Sequence, residues 1–119
     1  MACTHETTMP FLANVAIIQG ASRTLNDPKK PLAMSMSNVQ RDFAVNTFSV
    51  LKAAKESVSV FEQLLPIASR TFICTGNILN EFPIMPAVGN GMTKSATAHL
   101  IDAASRAYKD KGFKCAFLQ

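Results

Sequence analysis

The sequence has no tryptophan, one tyrosine (Tyr108), five glycines and three cysteines in 119 residues. Cys3, Cys74 and Cys115 are odd in number, far apart and never spaced as CxxC, so neither a disulfide framework nor a zinc pattern is indicated. They read as reduced thiols, two of them in apolar strands. His5 and His99 stand without nearby Cys or paired acids at ligand spacing, which suits packing or surface positions and leaves no metal site to expect. Long hydrophobic runs are missing as well. The first apolar run, Val15 to Ile18, preceded by Pro10, Phe11, Leu12 and Ala13, falls far short of the eighteen or so residues that span a bilayer, so no membrane segment is expected. No Lys or Arg precedes Arg23 and the flank carries Glu6, which does not fit a secretory signal. The expected mature chain begins at or near Met1 and stays in the cytoplasm. Positive charge is in modest excess, 12 Lys and Arg against 8 Asp and Glu, and it is scattered from Arg23 to Lys114. Without a grouped basic stripe or stacking aromatics this reads as a solvated surface, with no nucleic-acid partner.

What is present is enough apolar material, 48% of the residues, for a single core. Residues 1–14 read as an N-terminal extension and 15–119 as one half-domain. Val15-Ala16-Ile17-Ile18 is β-branched, bounded by Gly20, and suits a strand buried on both faces. Asn26-Asp27-Pro28 and Pro31 mark a loop that closes with Ser37 as an N-cap. Val39, Phe43, Val50, Ala54 and Phe61 then recur at helical intervals in a stretch free of Gly and Pro, which predicts a long helix over 37–64. Arg70 to Thr75 predicts a second strand, stopped by Gly76. From Gly76 to Gly91 the prolines and asparagines predict a loop of the kind that touches ligands. Met92 to Lys109, with Ala96, Leu100, Ala103 and Ala107 along one side and Gly112 past its end, predicts a second helix. Lys114 to Leu118 closes the series.

The order strand, helix, strand, helix, strand predicts an α/β fold, a partial Rossmann-like parallel sheet with right-handed crossovers. With the strands in sequential order both helices cover one face. Side chains such as Ala16, Ile18, Phe72 and Cys74 are then expected to lack a covering layer on the other.

Four segments carry a likeness. Phe43-Ala44-Val45-Asn46-Thr47, Thr71 to Leu79, and Thr93-Lys94-Ser95-Ala96, in this order, resemble the central part of a short-chain dehydrogenase/reductase, and Asn26 to Leu32 is similar to a divergent subgroup of that family. The resemblance implies an oxidoreductase using NAD or NADP on a small carbonyl or alcohol, with a helix Asn, a strand-end Ser and a YxxxK pair as its catalytic set. Asn46 matches the helix Asn and Lys94 the lysine, and by the same likeness both touch the cofactor. Thr75 stands near the Ser position and Asn90 occupies the Tyr position, four residues before Lys94. An amide can hydrogen-bond from there, but it has no titratable proton for acid catalysis near neutral pH.

The glycine-rich GxGxxG turn that cradles a pyrophosphate is absent from these residues, and the family's Asn-Ala-Gly turn appears as Gln19-Gly20-Ala21. The segment from Val88 to Ser95 ends in Lys-Ser, yet a phosphate loop would need glycine where Val88 and Thr93 stand. The resemblance therefore implies a truncated homologue, inactive as an isolated chain. Asn46 reads either as a catalytic remnant or as a partner for a local backbone irregularity, and Lys94 either as a ribose ligand or as a solvated charge in the first helical turn. A second reading is a non-enzymatic module that associates with itself or with a full-length relative, with Ala103, Ala104 and Ala107 permitting close helix approach. Met34, Met36, Met85 and Met92 flank the expected ligand loops.

Overall fold

The computed structural model describes residues 15–18 and 22–118. The N-terminal extension with Cys3 and His5, and the altered turn at 19–21, lie outside the described residues. Three parallel strands, β1 (Val15–Ile18), β2 (Thr71–Thr75) and β3 (Lys114–Leu118), pair in sequential order. Between β1 and β2 runs a rod made of α1 (Met36–Phe43), a π-helical turn (Ala44–Phe48) and α2 (Ser49–Phe61). A single helix, α3 (Val88–Ala107), links β2 to β3. This is the α/β arrangement expected from the order of the segments.

The expected long helix exists, with three differences. It is capped by Ser35, whose side chain accepts from the Asn38 amide, and not by Ser37; it ends at Phe61, three residues before the expected Leu64. It also contains a wider, underwound turn that periodicity did not show, and the turn contains Asn46 and Thr47. Such π turns add a residue to the helix and re-aim its neighbours.

The start of α3 needs a larger correction. Gly89, Asn90 and Gly91 belong to the helix, which begins at Val88 and not at Met92. The reason is tertiary. The Asn26 side chain, on the loop after β1, accepts from the Val88 amide (3.1 Å) and donates to the Met85 carbonyl (2.7 Å), while its own amide donates to the Pro86 carbonyl (2.9 Å). A helix end needs such partners for its orphan donors, and here they come from far along the chain. The buried side of α3 is also different from the expected alanine stripe: Asn90, Thr93, Lys94, Thr97 and Ile101 are buried, whereas Ala103 and Ala107 are exposed. Gly112 does follow α3, closing the turn after it in the left-handed region (φ 72°) that glycine enters without strain.

Both helical segments pack on one face of the sheet. Ile18, Phe72 and Cys74 meet Val50, Phe61, Ile101 and Phe113 in the core, with Phe61 edge-on to Phe113 at 5.6 Å between centroids. Gly76 follows β2 where the Phe117 ring crosses its Cα so closely that a Cβ would overlap it. The other face is open, as the topology requires, but the side chains on it are not the expected ones. Ala16, Ile18, Phe72 and Cys74 point under the helices, and the open face carries Val15, Ile17 and Leu118, all exposed, with Ile73 between them. Successive side chains alternate across a strand, so an error of one in phase exchanges the two faces.

Candidate functional site

The π turn directs Asn46 and Thr47 at α3, and α3 answers with a polar face of its own. Thr47 donates to the Thr93 carbonyl (3.0 Å), and Thr97 donates to the Asn46 carbonyl (2.7 Å). The Asn46 amide nitrogen donates to the Thr93 hydroxyl (3.0 Å), which in turn donates to the Asn90 carbonyl (2.8 Å). Asn46, Thr93 and Thr97 are essentially inaccessible to solvent. Buried polar atoms are costly unless paired, and every one of these has a partner. The helices are therefore joined by a polar ladder where two amphipathic helices would ordinarily interdigitate apolar side chains.

The ladder continues to the chain leaving β1. Asn46 accepts from the Ser22 amide (2.9 Å) and donates to the Ser22 carbonyl (2.7 Å), a second bond to that carbonyl comes from the Asn90 amide (3.3 Å), and the Asn77 side chain donates to Asn90 Oδ1 (3.5 Å). One turn before Asn46, Asp42 is fully buried and accepts from the Ser22 hydroxyl (2.7 Å) and from the Thr24 amide (3.2 Å) and hydroxyl (3.3 Å). Arg41 donates to the same Thr24 hydroxyl (3.0 Å), so a guanidinium stands one hydroxyl away from the buried carboxylate.

Of the four residues singled out in the sequence, Asn46 and Asn90 meet at Ser22, and Lys94 follows Asn90 by one turn on the same buried face of α3. Lys94 is 6% exposed, which removes the reading of a solvated charge, and it lies in the second turn of α3 and not the first. Thr75 is not brought to this cluster by the strand. Alternation along β2 assigns it to the face of Thr71 and Ile73, opposite the helices. Asp42, Ser22, Thr93 and Thr97 were not singled out. A signal for the last two was available, because Asn90, Thr93, Lys94, Thr97 and Ile101 follow helical spacing onto one face.

Cys74, on β2 beneath the helices, has its thiol pKa raised above the ordinary 9.0 by burial, an effect partly offset by the Lys94 ammonium. Cys115 is raised by burial alone. Thiols kept protonated in the fold and free to ionise when unfolded make stability fall as pH rises above about 9. In the native protein at pH 8 both are expected to resist iodoacetamide, with labelling appearing only as the protein unfolds. Mass spectrometry of pulse-labelled protein checks this, and rapid native labelling of Cys74 would contradict it. Among the described residues no group of His, Cys, Asp and Glu is arranged to hold a metal ion, and no helix is long and apolar enough to cross a membrane.

Over 84 residues, 71% of its length, the sequence is 43% identical to the short chain dehydrogenase/reductase dmxR12 of Cryptosporiopsis sp. (strain 8999). The chain is a homologue of the short-chain dehydrogenases/reductases. The aligned stretch is 34% of that relative, so the chain spans about a third of its length. Solved structures agree on the fold. A short chain dehydrogenase from Mycobacterium smegmatis superposes on 87% of the chain with a TM-score of 0.75 at 12% identity, using 41% of its own length. An NADPH-bound short chain oxidoreductase from Pseudomonas aeruginosa PAO1, described as containing an atypical catalytic center, superposes on 88% with a TM-score of 0.74 at 11% identity, using 39% of its length. No family model matches the chain.

The arrangement does not by itself suit a whole dinucleotide. Asn46 has both N–H groups and its oxygen engaged within the protein, Asn90 is bonded to Ser22 and Asn77, and the first amide of α3, where a phosphate could otherwise sit, is capped by Asn26. Lys94, which matches the family's lysine, is buried one turn after Asn90 on the same face of α3.

Proposed function

We propose that this chain carries the second βαβαβ half of an NAD(P)-linked carbonyl or alcohol oxidoreductase scaffold and that these 119 residues alone perform no hydride transfer. The observation that supports this most is at position 90. Where an ionisable phenol would deliver a proton, a buried amide is tied to Ser22 and Asn77, and it has no proton to give at neutral pH. Dinucleotide binding is weak, lies at the C-terminal edge of the sheet, and is sensitive to Lys94 and Asn46. Lys94 acts as the ribose partner, and Asn46 acts through the loop after β1. Purified chain incubated with NADPH or NADH and a panel of small aldehydes and ketones is expected to show no reduction above the buffer rate. Reduction abolished by Lys94→Ala would overturn this.

The open sheet face favours a second reading, an interaction module that associates with another copy of itself. Val15 and Ile17 on β1 and Leu118 on β3 are exposed there, on the two strands that flank β2. The two readings are compatible, since association uses the face opposite Lys94.

A further inference from the structure

A cavity of about 320 Å³ opens between the loop after β1 and the first turns of α1, and Asn46, Asn90 and Lys94 are not among its walls. Its size is that of a small-molecule site. Leu25, Ala33, Met34 and Val39 form the apolar wall, and Met34 is one of the methionines that flank the expected ligand loops. The loop is held in place without a ligand: the Lys30 amide donates to the Asp27 carbonyl (3.0 Å), the Ala33 amide donates to the Lys30 carbonyl (3.0 Å), and Asn26 ties the loop to the start of α3. The polar wall divides into groups already bonded and groups that are not. Thr24 is bonded to Asp42, Asn26 to Met85 and Val88, and Ser35 to Ser37. Asp42 backs the cavity but is inaccessible, with both carboxylate oxygens turned to Ser22 and Thr24. Among the described residues the half-buried Asn38 carboxamide makes no hydrogen bond, and the Lys30 ammonium at the rim has no ion pair.

We infer that this cavity binds a small, uncharged molecule with an amide-like edge on an apolar body, and that Asn38 reads that edge. A primary amide carries two donors and an acceptor on one planar group. A lactam or carboxamide carries the complementary pair, so two bonds close together and the half-buried amide gains the partner it lacks within the protein. Charge argues against an ion. An anion would enter beside Asp27 and Asp42 with Lys30 alone to oppose them, and a cation would meet Lys30 at the rim with the Asp42 carboxylate sealed behind Ser22 and Thr24. An uncharged ligand avoids both, and its body takes the surfaces of Leu25, Met34 and Val39 out of water. Because the loop is already tied down, little ordering is lost on binding. The site stands apart from the dinucleotide reading, since Lys94 contributes nothing to it.

Titration of the full chain with δ-valerolactam, followed by the NMR shifts of backbone amides, tests the site directly. Saturable shifts are expected at Leu25, Met34 and Val39 and not at Phe72 or Ile101 in the core. N-methyl-δ-valerolactam lacks the donor and is expected to bind about 10-fold more weakly. Piperidinium and cyclopentanecarboxylate, a cation and an anion of similar size, are expected to bind more weakly than the lactam as well. No saturable shift with the lactam, or equal affinity for the methylated or charged compounds, would overturn the inference without any variant. Asn38→Leu is close in size and removes the donors and the acceptor, so it is expected to lower lactam affinity about 10-fold; Ala33→Phe fills the cavity and is expected to abolish binding. Unchanged shifts at Phe72 and Ile101 report that each variant is folded, and a folded Asn38→Leu that binds the lactam as tightly as the parent would also overturn the site. Lys94→Ala is expected to reduce NADPH binding while leaving lactam affinity unchanged, so a failure of the cofactor reading is distinguishable from a failure of this one.

Discussion

Replacing Phe72 with Ala is expected to cost about 3 to 5 kcal/mol, a large part of what holds a domain of this size together. Phe72 is 1% exposed on the central strand, beneath both helices. Its neighbours across the sheet in register are Ala16 and Cys115, both small, so neither can refill the space. The cavity would open against Phe61 and Ile101 in the middle of the core, where relaxation is least able to close it. Ile73→Ala, one position along and on the open face, serves as the control and should cost much less. Guanidinium unfolding of the two variants beside the parent chain checks the difference. Similar midpoints for Phe72→Ala and Ile73→Ala would show that the core lies elsewhere.

The second large effect concerns association. Covering an apolar side chain of the size of Val, Ile or Leu is worth about 1.5 to 3 kcal/mol, and Val15, Ile17, Ile73 and Leu118 stand on one uncovered face. At micromolar concentration the chain is expected to sediment as a dimer or larger species. A paired change, Ile17→Lys with Leu118→Lys, is expected to return it to monomer while leaving the core beneath the helices intact. A monodisperse parent monomer with a cooperative, high-temperature melt would remove the argument from the open face.

The strands and the order of elements were readable because each depends on local pattern: β-branched runs bounded by glycine, and a glycine-free stretch with apolar residues at helical spacing. The phase of the sheet was not. Val15 and Ile17 are as apolar as Ala16 and Ile18, and a strand apolar on both sides shows which residues share a face without showing which face is covered. The start of α3 was hidden for a different reason. Gly89 and Gly91 are poor helix formers locally, and what holds them in the helix is Asn26, whose bonds to Val88 and Met85 close only in three dimensions. The site was partly legible. Asn46, Asn90 and Lys94 were found through the family's spacing, and the structure gathers the first two at Ser22. Asp42 lies off the apolar stripe of its helix, and burial of a charge against hydroxyls and an amide of a distant loop leaves no trace in periodicity. Thr75 was placed by its position at the end of a strand, which fixes its height in the sheet but not its face.

The scaffold is that of a short-chain dehydrogenase/reductase, while the polar groups of its site are largely engaged within the protein. Calorimetric titration of NADPH and NADH into the purified chain and its Lys94→Ala variant tests this most directly. The expected result is weak binding, with no saturation below about 1 mM, reduced further by the substitution. Nanomolar affinity that Lys94→Ala leaves unchanged would contradict it, because a complete dinucleotide site would then exist apart from these residues.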